Sequence, residues 1–249
     1  VLVLDVKTGQ TLAYVGNVSS GGGRHGEDVD IITSPRSTGS ILKPFLFAAA
    51  MNEGLILPQT LLPDIPIMMN GFSPQNFSKE YDGAVHADEA LIRSLNVPSV
   101  FLLKDYRYEK FYSLLKNIGM TTLRRPADHY GLSLILGGAE GSLWDITGMY
   151  ASMARTLNDY FDHPGKNRYS AEAFHPPYYL DVHQPSAERH ETSWLSAASI
   201  FLTFETLMEL YRPAEETGWR YFNTSKNIAW KTGTSFGFRD GWAVGVNGD

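Results

Sequence analysis

The sequence contains two copies of Ser-x-x-Lys, a pattern that places an amine near a hydroxyl and could support acyl transfer. One copy, Ser40-x-x-Lys43, opens an apolar run. Pro44 restricts the predicted helix to a start at about Gly39 or Ser40, because proline lacks an N–H and is tolerated only in the first turn. The Ser40 hydroxyl would then lie at the positive end of the helix dipole, with Lys43 on the same face. The other copy, Ser113–Lys116, lies in the middle of a predicted helix and is interpreted as part of an exposed polar face.

Two further patterns, Ser-x-Asn and Lys-Thr-Gly, also occur twice, and their contexts separate the copies. Ser94-x-Asn96 falls in a tight junction between two predicted helices, where side chains could converge on a cleft, although serine and asparagine are also common at helix ends. Lys231–Thr234 lies on a predicted strand, where an ammonium and two hydroxyls form a carboxylate-binding set and the glycine allows close approach. The remaining copies, Ser225–Asn227 and Lys7–Gly9, are typical of turns.

Composition and charge exclude several classes of function. The 249-residue chain has a formal net charge of -6 and no block of like charge, which disfavours nucleic-acid binding, since phosphate recognition depends on clustered Lys and Arg. The absence of cysteine excludes disulfides, thiolate catalysis and Cys-type zinc sites. The histidines show no H-E-x-x-H spacing, so no metal or cofactor is expected. The cluster Gly21–Gly26 matches a dinucleotide-binding pattern, but no predicted helix follows it, which indicates a loop.

Predicted strands at both ends of the chain, with helices between them, indicate an α+β fold. An antiparallel sheet built from the N- and C-terminal strands would pack against a helical cluster. Charged residues interrupt every apolar stretch before it reaches the roughly 18 residues of a membrane span. The predicted strands are Val1–Val6, Thr11–Val15, Asn227–Thr234 and Trp242–Val246. The predicted helices are Ser40 to about Gly54, Ala87–Ser94, one opening at Pro98, Tyr108–Ile118, Ser142–Leu157 and Thr192–Tyr211.

The selected copies follow one another in the order Ser-x-x-Lys, Ser-x-Asn, Lys-Thr-Gly, which resembles the penicillin-recognising serine acyltransferases. Longer segments resemble the transpeptidase domain of bifunctional penicillin-binding proteins, and the resemblance covers nearly the whole chain. These segments are Ser37–Pro44, Ala90–Pro98, Leu136–Gly138 and Trp230–Asp240. The resemblance implies a β-lactamase/transpeptidase-like fold. It also implies one transpeptidase domain over residues 1–249, truncated at its C-terminal strand and helix, with the parent protein's glycosyltransferase domain outside this sequence.

The same resemblance implies a serine-type D,D-transpeptidase that cross-links peptidoglycan through an acyl-enzyme on Ser40 and is inhibited covalently by β-lactams. Lys43 is expected to act as the base, and Ser94 to pass a proton to the leaving amine. The residues expected to bind substrate are Asn96, Lys231, Thr232, Gly233 and Thr234. The expected partners are peptidoglycan stem peptides and β-lactam antibiotics, with no nucleic acid. Membrane contact is expected only through the parent chain outside this sequence, on the periplasmic or cell-surface side of the bacterial inner membrane.

The resemblance also implies an oxyanion hole formed by the backbone N–H groups of Ser40 and Thr234. Three alternatives use the same pocket: a non-turnover β-lactam sensor, an inactive penicillin-binding module and a D,D-carboxypeptidase. A β-lactamase is disfavoured because Leu95 stands where β-lactamases carry an acid, and because no Glu-x-x-Leu-Asn segment could supply a deacylating carboxylate.

Overall fold

The α+β class predicted from the sequence is confirmed by a computed structural model, in which the described residues are 1–18, 27–69, 71–180, 186–209 and 228–248. The strands are β1 Leu2–Leu4, β2 Thr11–Tyr14, β3 Arg36–Ser37, β4 Leu61–Asp64, β5 Gly83–His86, β6 Glu140–Gly141, β7 Tyr169–Ser170, β8 Arg189–His190, β9 Ala229–Thr234 and β10 Gly241–Val246. The α-helices are α1 Lys43–Asn52, α2 Ala87–Ile92, α3 Asn96–Tyr106, α4 Tyr108–Asn117, α5 Ala127–Tyr130, α6 Leu143–Asp162 and α7 Ala197–Met208.

Helix α1 lies at the centre of the hydrophobic core. Every residue from Lys43 to Ala50 is buried, as expected for a helix that is apolar on all sides. The ring of Phe45 packs edge-on against Tyr150 of α6, with centroids 4.9 Å apart. The Tyr150 hydroxyl donates a hydrogen bond of 2.8 Å to the carbonyl of Ile41. Helix α6 therefore holds both the first turn of α1 and the segment that precedes it.

The terminal strands form two antiparallel hairpins, not the single shared sheet that the sequence pattern predicts. Strand β1 pairs with β2, and β9 pairs with β10 from Ala229↔Val246 to Thr234↔Gly241. Within the described residues, no hydrogen-bonded ladder joins the two hairpins. Both pack against α6. Between them lies a cavity of about 600 Å³, lined in part by Leu2 of β1 and Trp242 of β10.

Helix α6 begins next to its predicted start at Ser142, whereas its predicted end is wrong. Ser142 is the cap, and its Oγ accepts a hydrogen bond of 3.0 Å from the backbone N of Asp145. The Asp145 carboxylate does not complete a capping box, because its Oδ2 accepts from the backbone N and the hydroxyl of Thr121. The helix continues past the predicted end at Leu157 to Asp162.

Helix α7 begins at Ala197 and not at Thr192, because Ser196 caps it by accepting from a backbone N–H of its first turn. Its predicted end at Tyr211 lies outside the described residues, as do the cluster Gly21–Gly26 and the predicted turn Ser225–Asn227. Over the ranges described, no helix has the length and apolar character that crossing a membrane requires.

We expect Tyr150→Phe to lower the free energy of unfolding by about 1–3 kcal/mol, because the buried Ile41 carbonyl loses its donor. Urea unfolding measures the change. Tyr108→Phe is the matched control: its hydroxyl contacts Asp128 in an exposed position, so its effect should stay within about 0.5 kcal/mol. Equal effects of the two variants would show that the Tyr150 hydroxyl does not stabilise the core.

Candidate active site

Ser40 lies in a turn that precedes α1, so the predicted helix start at Gly39 or Ser40 is wrong. Residues 39–42 form turns, and the helix begins at Lys43. Gly39 adopts φ +52°, a left-handed conformation that ends any continuous helix. The backbone N of Lys43 donates to Ser40 O at 3.2 Å, an i→i+3 bond of a tighter kind than the α-helical one. The Ser40 side chain is partly exposed, and its hydroxyl makes no hydrogen bond with the described residues.

Two glycines allow the Ser40 turn to lie directly against strand β9. A Cβ atom on Gly39 would lie 2.7 Å from both N and O of Thr234. A Cβ atom on Gly233 would lie 2.8 Å from Thr38 O. Since side chains essentially never approach backbone this closely, only glycine permits the contact at either position. The backbone N–H groups of Ser40 and Thr234 therefore belong to adjoining segments.

The Lys43 side chain is buried, and the turn Ser94–Asn96 supplies its hydrogen-bond acceptors. Its Nζ donates to Ser94 O at 2.8 Å, to Leu95 O at 3.0 Å and to Asn96 Oδ1 at 2.8 Å. Three acceptors match the three hydrogens of an ammonium. In this arrangement Lys43 contacts the second motif, whereas the sequence predicts a contact with the Ser40 hydroxyl.

Lys231 connects the third motif to the same turn. Its side chain is 1% exposed, and its Nζ donates to Ser94 Oγ at 2.8 Å and to Thr232 O at 2.9 Å. Ser94 is thus bonded to Lys43 through its carbonyl and to Lys231 through its hydroxyl. Its backbone has φ +56°, which is uncommon for a residue with a side chain and persists where surrounding contacts hold it.

Burial makes both lysine amines easier to deprotonate. Desolvation is the main cause that lowers the pKa of Lys43 well below its usual value, and the charge of Lys231 lowers it further. Burial lowers the pKa of Lys231 to about 8. The acceptors around Lys43 Nζ favour the ammonium, but all three are neutral amide oxygens. We therefore expect desolvation and charge repulsion to dominate.

Asn96 begins helix α3, ahead of the predicted start at Pro98. Pro98 is the third helical residue, where its missing N–H costs nothing because the first turn has no intrahelical acceptors. The side-chain amide of Asn96 accepts from Lys43 and donates through Nδ2 to Gln75 O at 2.8 Å. An amide nitrogen carries two hydrogens, so one remains for a ligand.

The hydroxyls of the third motif lie on the opposite face of β9 from its ammonium. Lys231 and Gly233 are buried, whereas Thr232 and Thr234 are exposed, as the alternation of side chains along a strand requires. The structure therefore brings Lys231 to Ser94 and leaves the two hydroxyls at the solvent-facing side of the cleft.

The second copies of two motifs lie away from this cluster. Ser113 donates its hydroxyl hydrogen to Glu109 O at 3.0 Å within α4. Lys7–Gly9 forms the turn of the β1–β2 hairpin, where Gly9 has φ +74°. Across the described ranges, no group of three or more His, Cys, Asp or Glu side chains is arranged to hold a metal ion.

Sequence analysis missed the segment Gln75–Asn76, which lies directly behind the second motif. Asn76 is 2% exposed, and its Oδ1 accepts from the backbone N of Asn96 and of Val97. Proline and asparagine near this position are typical of a turn. No local pattern distinguishes a buried, helix-capping asparagine from one that only shapes a loop.

The family model for the penicillin binding protein transpeptidase domain matches residues 1–155. The chain belongs to this family. The run Trp230–Asp240 further predicts a particular similarity to penicillin-binding protein 1C. That protein from Escherichia coli (strain K12) is 33% identical over 246 residues, which confirms this prediction. The family prediction made from the three motifs is therefore confirmed.

Solved structures of the family share the fold. Penicillin-binding protein PonA1 from Mycobacterium tuberculosis matches 99% of this chain and 65% of its own with a TM-score of 0.72 at 18% identity. The TP domain of Burkholderia pseudomallei penicillin-binding protein 3 matches 99% of this chain and 74% of its own with a TM-score of 0.70 at 16% identity. The match to the E. coli relative covers 99% of this chain but only 29% of that protein.

We expect Gly39→Ala to destabilise the protein more than Gly54→Ala. Both glycines have positive φ, +52° and +71°, so both alanines carry about 1–2 kcal/mol of backbone strain. Nothing lies within 4 Å of a Cβ on Gly54, whereas a Cβ on Gly39 meets Thr234 and should add about 1–3 kcal/mol of overpacking. Urea unfolding of the two variants measures the difference. Equal losses of unfolding free energy in the two variants would mean that β9 shifts away from the added methyl group without a measurable cost.

Proposed function

We propose that this chain is a serine-type D,D-transpeptidase domain that cross-links peptidoglycan stem peptides through an acyl-enzyme on Ser40. The observation that carries the proposal is the meeting of three distant motifs at one turn. Lys43 and Lys231 both donate to Ser94, across 51 and 137 residues of sequence, while Gly39 places the Ser40 turn against β9. Membership of the penicillin-binding transpeptidase family supports acyl transfer as the reaction type.

The proposed reaction begins when Ser40 Oγ attacks the carbonyl of the penultimate D-Ala. A serine hydroxyl is a weak nucleophile until a base takes its proton, and Lys43 is the candidate base. A neutral amine has two hydrogens and one lone pair, so deprotonated Lys43 keeps two of its three acceptors and frees a direction for the Ser40 proton. The lowered pKa of Lys43 makes this form accessible.

The charge that develops on the attacked carbonyl oxygen would be stabilised by the backbone N–H groups of Ser40 and Thr234. Each donor of this kind contributes roughly 3 kcal/mol to transition-state stabilisation. Breakdown of the tetrahedral species expels the D-Ala amine, which needs a proton. Ser94 would donate it, and Lys231, hydrogen-bonded to Ser94 Oγ, would replace it.

Substrate binding would use the two sides of the cleft. The remaining Nδ2 hydrogen of Asn96 would bind a substrate amide carbonyl. The hydroxyls of Thr232 and Thr234 would hydrogen-bond the terminal carboxylate of D-Ala-D-Ala or the equivalent group of a β-lactam. Lys231, buried on the other face of β9, would assist binding through the attraction of its positive charge. Gly233 would let the peptide approach the strand. No cofactor takes part in these steps.

The acyl group on Ser40 would then pass to an amine of a neighbouring stem peptide, which forms the cross-link. The proton that the amine loses would return through Ser94 to Lys231, and Lys43 would give its proton back to Ser40 Oγ as the serine is freed. Water in place of the amine gives D,D-carboxypeptidase activity. The site of action would be the periplasmic or cell-surface side of the bacterial inner membrane, where the stem peptides are located.

We expect fluorescent penicillin to label the protein once, on Ser40. Intact-mass spectrometry and peptide mapping would find the adduct in the wild type and not in Ser40→Ala, because the described residues place the Ser40 turn against β9 beside the Lys43–Ser94–Lys231 cluster. Lys43→Ala should label much more slowly because the base is missing. Ser113→Ala, which removes the hydroxyl of the other Ser-x-x-Lys copy, should label like the wild type.

The outcome of this experiment separates the alternatives. A label on Ser40→Ala would refute the nucleophile assignment. A permanent label without turnover of a D-Ala-D-Ala peptide would indicate a β-lactam sensor or an inactive module. Release of peptide to water alone would indicate a carboxypeptidase, and rapid loss of the label a β-lactamase.

The acylation rate should rise and then fall with pH. It rises as Lys43 loses its proton and becomes a base. It falls as Lys231 loses the positive charge that attracts the substrate carboxylate, near its pKa of about 8. Lys231→Arg should lower the rate yet remove the alkaline fall, because arginine stays charged.

Labelling rates measured from about pH 6 to about pH 9.5 give the two limbs of the profile. The same alkaline fall in the wild type and in Lys231→Arg would show that another group causes it, and a rate that is independent of pH would exclude both lysines from the proposed roles.

A further inference from the structure

The first turn of helix α3 is capped by a side chain that is distant in sequence. The residue before the helix, Leu95, has no polar side chain to cap it. Asn76 takes this role: its Oδ1 accepts from the backbone N of Asn96 at 3.0 Å and of Val97 at 3.1 Å. The next residue, Pro98, has no N–H. One side-chain oxygen therefore satisfies the first two donors of the helix.

The Asn76 amide is itself held from behind by a buried carboxylate. Its Nδ2 donates to Asp64 Oδ1 at 2.7 Å and to Glu80 O at 2.9 Å. Asp64 is 0% exposed, and its Oδ2 accepts from the backbone N of Asp82 at 3.0 Å. A carboxylate only accepts, so the amide nitrogen must face Asp64 and the amide oxygen must face the helix. All four hydrogen-bonding positions of the amide are occupied, which fixes its orientation.

The turn that Asn76 caps is also the turn that holds Lys43. The three acceptors of Lys43 Nζ are Ser94 O, Leu95 O and Asn96 Oδ1. Asn96 Nδ2 in turn donates to the carbonyl of Gln75, the neighbour of Asn76. A shift of the first turn of α3 would therefore move the acceptors of the buried amine, and with them the balance between its charged and neutral forms.

We infer that Asn76, oriented by Asp64, is a positioning residue for the acylation step. It does not bond to Ser40, Lys43 or Lys231, and it acts by fixing the turn whose oxygens hold Lys43 Nζ. The inference rests on the proposed function, in which Lys43 is the base that activates Ser40.

Exchanging the side chains of Asn76 and Asp64, first at one position and then at both, tests the inference. Asn76→Asp sets a second carboxyl group against Asp64, so the pair must repel or share a proton, and the turn shifts. We expect labelling by fluorescent penicillin to slow about ten- to hundredfold, with the acid limb of the pH profile displaced. The double variant Asp64→Asn, Asn76→Asp restores an amide–carboxylate pair with the donor reversed. It should recover most of the rate and the wild-type acid limb, apart from the lost bond to Glu80 O.

The matched control is Asn52→Ala, at the other end of α1. Asn52 Oδ1 also accepts from a backbone N–H at the start of a helix, Ser196 N at 3.0 Å, but it has no link to Lys43. This variant should lower the thermal unfolding midpoint and leave the pH profile unchanged. A displaced acid limb in Asn76→Asp but not in Asn52→Ala separates positioning from a general loss of stability.

Wild-type labelling kinetics in Asn76→Asp would overturn the inference, as would a folded double variant that recovers nothing. If Asn76→Asp does not fold, Asp64→Asn replaces it. In Asp64→Asn the side-chain NH2 group must face a donor, either Asn76 Nδ2 or Asp82 N. A smaller loss of labelling rate, with a displaced acid limb, is therefore expected, and wild-type behaviour there would overturn the inference. Failure of the proposed function looks different, because the wild-type protein itself would then carry no label on Ser40.

Discussion

The candidate active site depends on the burial of two lysine amines against a single turn of the chain. Inside a core each N–H group needs an acceptor, since no water can supply one. The turn Ser94–Asn96 provides all three acceptors of Lys43 and the side-chain acceptor of Lys231. Displacing the turn would leave a buried cation without partners. The arrangement of the two lysines and Ser94 is therefore coupled directly to the packing of α1, α3 and β9.

These buried cations reduce the stability of the fold near neutral pH. For Lys231, a folded-state pKa of about 8 against an unfolded value near 10.5 means that the folded protein binds fewer protons than the unfolded chain between these values. Its contribution to stability therefore rises with pH across this window, by about 3 kcal/mol in total. The lowered pKa of Lys43 also makes the stability of the fold rise with pH. The apolar packing of α1 and α6 offsets this cost and makes the low pKa values possible.

The motifs could be selected from sequence because each depends on local context: an apolar run after Ser40, a helix junction at Ser94 and a strand at Lys231. The helix start at Lys43 could not be predicted, because the φ of Gly39 is set by contact with Thr234, far along the chain. The pairing of the terminal strands also depends on tertiary packing against α6.

Under the proposed mechanism the site divides into two faces with separate tasks. Proton transfer takes place in the interior, at Lys43, Lys231 and Ser94. Substrate binds on the exposed face of β9, at Thr232 and Thr234. Ser40 stands at the boundary, partly exposed. Acylation requires both faces, because the carboxylate must be held while the proton moves. The choice of an amine or water as acceptor is made on the exposed face alone, since either acceptor meets the same base. Transpeptidase and carboxypeptidase activities should therefore differ through the surface around the two threonines and not through the lysines.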